Sequence, residues 1–97
     1  MRNYLRLGDA FLGRVNYMFV DTKDHISDRL LNENKISVRD AREFFKEGSP
    51  YRLIVCKIKK KDEEAFKDCI AGIANRAILL GYRDYELMCD ELMAAAV

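Results

Sequence analysis

Apolar and polar positions are most regular over residues 51–58. Tyr51, Leu53 and Val55 fall on one side of an extended chain, and Ile54, Cys56 and Ile58 on the other. The run is short, β-branched and preceded by the turn residues Gly48-Ser49-Pro50, which predicts a strand. Both of its faces are apolar, so it should be covered on both sides. It also needs a partner, because a lone strand leaves its backbone polar groups unpaired. The leading partner within the chain is 14–20, rich in Val, Tyr and Phe, while 4–12 reads as a helix.

Beyond the lysine run the period changes. Phe66, Cys69, Ile70, Ile73, Ala77 and Leu80 recur at steps of three and four, predicting a helix over 62–80. Asp62 suits its N-cap, Glu63 and Glu64 the positive end of its dipole, and Gly81 a left-handed C-terminal turn. A second helix is expected over 84–96, with Tyr85, Met88, Leu92 and Ala95 as its stripe; the alternative is a strand over 82–87 in a βαβ unit with 51–58. Shorter helices are expected over 24–32, with Ile26, Leu30 and Leu31 inward, and over 38–46. The latter would be capped by Ser37, with Val38, Ala41, Phe44 and Phe45 inward. Together these elements predict an α+β fold: a mostly helical small single domain spanning 1–97, with a small sheet centred on 51–58 packed by helices. Its core should unite Ile54, Cys56, Ile58, Phe66, Ile70, Ile73, Ala77 and Leu80.

Length and composition agree with that picture. A chain of 97 residues has room for one core, and 49% hydrophobic with 34% charged residues excludes a disordered or low-complexity segment. The net charge of +1 excludes an acidic nucleic-acid mimic and hides an asymmetry. Residues 35–61 carry nine basic and three acidic side chains, a balance of +6, whereas 62–97 carry three basic and eight acidic, a balance of −5. The three cysteines at 56, 69 and 89 are too far apart for a zinc or redox motif and read as thiols in a reducing compartment. The first residues lack the apolar run of a signal peptide, and no stretch is long and apolar enough for a membrane span. The expected location is therefore cytoplasmic, with no membrane partner.

Candidate chemistry is sparse. The one histidine, His25, stands between Asp24 and Asp28 with no nucleophile or ligand at a telling distance in sequence. Gly8 and Gly13 lack the Lys-Ser/Thr of a phosphate loop, and the carboxylates cluster as helix-face charges. No catalytic, cofactor or metal set is expected. Arg39, Arg42 and Lys46, at helical steps, and Lys57, Lys59, Lys60 and Lys61 form a basic middle that could neutralise phosphates. Residues 36–45 resemble the first helix of helix-turn-helix and excisionase-type winged domains. Such domains continue into a recognition helix, whereas here Gly48-Ser49-Pro50 leads into an apolar strand. The terminal stripe, with Tyr85, Met88, Leu92 and Met93, has apolar residues to spare and suits an interface, including that of a homodimer. The expectation is a non-catalytic interaction or regulatory protein working through protein–protein contact, of a size common on phages and mobile elements. The alternative is a nucleic-acid-binding accessory protein using 35–61.

Overall fold

The computed structural model describes residues 4–8, 13–82 and 84–96. Strands β1 (Tyr4–Arg6), β2 (Arg14–Thr22), β3 (Val38–Phe45) and β4 (Tyr51–Lys59) form an antiparallel sheet in the order β1-β2-β4-β3. Helix α1 (Ile26–Glu33) links β2 to β3; after β4, one 3-10 turn leads into α2 (Glu63–Leu79) and then α3 (Tyr85–Ala96). The apolar strand read from the sequence is β4, a central strand. It pairs with β2 from Arg14↔Lys59 to Thr22↔Tyr51 and with β3 on its other side. Helix is the larger share, 44% against 34% strand, and the class is α+β as expected.

Alternation along β2 and β4 divides the core in two. On the first face Val15, Tyr17, Phe19, Ile54, Cys56 and Ile58 meet α1 through Ile26 and Leu31, and α2 through Phe66, Cys69, Ile70 and Ile73. The Phe66 ring lies 4.9 Å from Tyr17 and 5.5 Å from Phe19, both at tilted or edge angles that suit aromatic pairs. On the second face Met18, Val20, Tyr51 and Leu53 meet Met88 and Leu92 of α3 and the small residues Ala74 and Ala77 near the end of α2. Tyr51 ties the two layers, its hydroxyl donating to the Ala77 carbonyl at 2.9 Å.

The chain turns from the first face to the second at the end of α2. Gly81 has φ +106°, its N–H donates to the Ile78 carbonyl, and the Tyr82 N–H reaches back to Ala77. This is the Schellman arrangement that glycine favours, and it confirms the stop read at Gly81. Helix α3 begins on Asp84, whose Oδ1 accepts the N–H groups of Glu86 and Leu87, so the alternative strand over 82–87 does not form.

Three expectations are corrected. Residues 38–45 are a strand, so the helix over 38–46 and the helix-turn-helix resemblance built on it both fall. The misleading spacing comes from a bulge: Asp40 and Ala41 together stand opposite Cys56, between the pairs Arg39↔Lys57 and Arg42↔Val55, with Asp40 at φ +51°. The extra residue breaks the period of two, sending Val38 to the first core and Phe44 to the second. Residues 4–6 are also a strand, since β2 offers an edge that Tyr4–Arg6 pairs in the register Tyr4↔Phe19; residues 9–12 of the expected helix lie outside the described residues. Finally, Leu80 is 53% exposed, at the end of α2 where Ile78 and Leu79 are exposed as well. Ala77 joins the second core, not the first.

Candidate interaction surface

The most buried polar group belongs to the scaffold. Asp21, at the end of β2, accepts the N–H of Thr22 (2.8 Å), the N–H and hydroxyl of Ser27 (3.1 and 2.6 Å), and Nε and Nη2 of Arg52 (3.0 and 2.6 Å). It thereby satisfies an otherwise free donor in the first turn of α1 and holds a buried cation from β4. Burial pulls Arg52 down. The hydrogen bond and charge of Asp21, helped by Asp28 and Glu43, outweigh that and hold the guanidinium above its ordinary value. A cavity of about 490 Å³ opens beside this node, floored by Phe19, Leu31 and Ile54. His25, exposed just before α1, is in a left-handed conformation, with Nδ1 2.9 Å from Asp28.

Thiol and phenol groups are held neutral. Burial pushes the Cys56 thiol up to about 12 and raises Cys69 as well, so neither presents a thiolate. Burial also raises Tyr17, whose hydroxyl donates to Glu63 at 2.8 Å. Among the described residues, no group of three His, Cys, Asp or Glu side chains could hold a metal ion. No helix there is long and apolar enough to cross a membrane.

The second face of the sheet is different, because α3 covers only part of it. Beside the helix, Leu5, Leu7, Met18, Phe44, Val55 and Met93 line an apolar hollow of about 400 Å³. Val55 is shared with a neighbouring hollow of about 380 Å³, whose polar walls are Asn16, Asp40, Arg42 and Lys57. Leu5, Met18 and Met93 are shared with a third, of about 210 Å³, which carries Glu86 and Asp90 of α3. The same surface therefore runs from basic through apolar to acidic.

Register explains the basic end. Arg39 stands opposite Lys57, and Arg14 opposite Lys59, all on the second-face side of their strands. Like charges at directly opposed positions destabilise a sheet. The relief among the described residues is Asp40, which reaches Lys57 at 3.4 Å between exposed side chains. No ion pair among the described residues joins the basic side chains of 35–61 to the acidic ones of 62–97.

The residues expected from the sequence are thus sorted. Arg39, Arg42, Lys57 and Lys59 come together, and Lys60 and Lys61 follow on the exposed turn after β4. Lys46 stands apart at the opposite end of the β3–β4 hairpin, because its helical spacing to Arg42 does not exist in a strand. Of the terminal stripe, Met88 and Leu92 are buried in the protomer's own core. Met93 is 43% exposed and lines the hollow; the Tyr85 side chain lies outside the described residues. Leu5, Leu7 and Arg14 were missed. A signal for Arg14 was available in its place at the head of the second strand. Leu5 and Leu7 were hidden by the helix assigned to 4–12. No family model, curated protein or solved structure matches the chain.

Proposed function

We propose that the chain is a non-catalytic interaction module that binds a protein partner across the second face of its sheet, in a reducing, cytoplasmic setting. The observation that carries this reading is the open strip beside α3. Its apolar centre supplies the burial that drives association, and the charges at its two ends supply register. Several features support the non-catalytic part. Asp21 and Ser27 are spent on each other and on Arg52, the Cys56 and Cys69 thiols are raised, and His25 is tied to an exposed carboxylate. The buried thiols of Cys56 and Cys69, both outside any disulfide, support the reducing setting.

A second reading is favoured by the like-charged pairs Arg39↔Lys57 and Arg14↔Lys59, which phosphates would relieve. Capture from host lysate by the tagged chain, with and without nuclease, separates the two. Protein contact predicts a partner that survives nuclease and is lost with Met93→Asp. Nucleic-acid binding predicts capture that nuclease abolishes and that Met93→Asp leaves intact.

A further inference from the structure

We infer that the occupant of the open strip is a second copy of this chain, joined about a two-fold axis through the apolar hollow. The inference rests on the protein-contact reading above and names its partner. A surface that runs from positive through apolar to negative is complementary to itself when turned half a revolution about its centre. The three hollows meet this condition in order. Arg42 and Lys57 mark the positive end, Glu86 and Asp90 the negative end, and Leu7 and Met93 lie at the middle. The rotation brings the hollow of one protomer onto that of its partner and sets the acidic side of each α3 over the basic strand positions of the other. It buries the half-exposed Leu5, Leu7 and Met93. It also brings carboxylates towards Arg39 and Lys57, adding to the partial relief that Asp40 gives this like-charged pair. The charge imbalances of 35–61 and 62–97, which no ion pair joins among the described residues, then offset each other between copies.

The test is molar mass by light scattering after size exclusion, from low micromolar concentration upwards. Twice the protomer mass of 11.3 kDa is expected, weakening as salt is raised. Met93→Asp, on a half-exposed position that leaves the core intact, should return the chain to protomer mass with an unchanged circular dichroism spectrum. Arg42→Glu and Asp90→Arg should each do the same by placing like charges face to face. Mixing the two monomeric variants should restore the doubled mass, because each then meets its opposite. Protomer mass at every concentration overturns the second copy as occupant. If lysate capture still depends on Met93, the protein-contact reading survives that result; if capture is lost too, both fall. A dimer that ignores Met93→Asp and the charge changes but breaks with Leu79→Asp also overturns the placement, moving the contact to the exposed corner at the end of α2.

Discussion

The two faces of the sheet are built from the same strands by the same alternation, yet they end in different states. The first face is covered by two helices, apart from the opening of about 490 Å³ beside the Asp21–Arg52 node. The 17 residues of α2 span roughly 25 Å, enough to run along the long β2–β4 pair, and α1 fills the space beside it. The second face is given the 12 residues of α3, which cover Met18, Val20, Tyr51 and Leu53 and stop short of Val55, Leu5 and Leu7. Closure on one side yields an interior in which ionisable groups are neutral or paired, as with Tyr17, Cys56 and the Asp21–Arg52 node. Partial closure on the other leaves apolar surface beside exposed charged side chains. A small domain can carry its larger core on one face and leave apolar surface for contact on the other, with a single element, here the corner at Gly81, moving the chain between them.

That contrast can be broken at measurable points. The largest loss is expected for Asp21→Ala, which takes from a buried guanidinium its nearest and only buried carboxylate among the described residues; about 3–5 kcal/mol of stability should disappear from urea unfolding. Ile73→Ala, wholly inside the first core, should cost about 2–4 kcal/mol through lost transfer energy and the cavity left behind. A smaller change near either value would mean that the first face repacks more freely than its burial implies.

Alkaline pH probes the same interior. Tyr17 and Cys56 are raised above their ordinary values of 10.0 and 9.0, so the unfolded chain releases these protons first. Their contribution is full below the ordinary values and declines as pH climbs through them towards the folded ones. Urea midpoints should therefore fall between neutral pH and about pH 11, and Cys56→Val should make that fall shallower. The smallest effect is expected on the open strip: Leu7→Ala, at a 45% exposed position, should shift protomer stability by no more than about 0.5 kcal/mol. A loss comparable to that of Ile73→Ala would show that the hollow belongs to the core and not to a contact surface.

Legibility differed along the chain for physical reasons. The elements β4, α2 and α3 were readable because period, caps and turn residues agree within each segment: Gly48-Ser49-Pro50 before Tyr51, Gly81 after α2, Asp84 before α3. The segment 38–45 was misread because the bulge at Asp40 and Ala41 gives a strand the spacing of a helix, and nothing local marks a bulge whose reason is its pairing with β4. Residues 4–6 were misread because a three-residue edge strand has too little pattern to show and is held by β2. The basic cluster was half visible. Lys57 and Lys59 were named from the lysine run, Arg39 and Arg42 from a helical spacing that the strand does not have, and Arg14 joins them through the register with Lys59.

By itself the sequence determined what depends on near neighbours: a strand apolar on both faces, the helix that stops at Gly81, an α+β class, and a positive middle followed by a negative end; it left 82–87 open between helix and strand. The tertiary structure decided everything that depends on which distant residues become opposite one another. It set Arg52 beneath Asp21, Arg39 against Lys57, and Val55 beside Leu7 and Met93. Local preferences act over a few residues and are written in their order. Sheet register and helix coverage are settled by the free energy of the whole core, in which no single segment carries the answer.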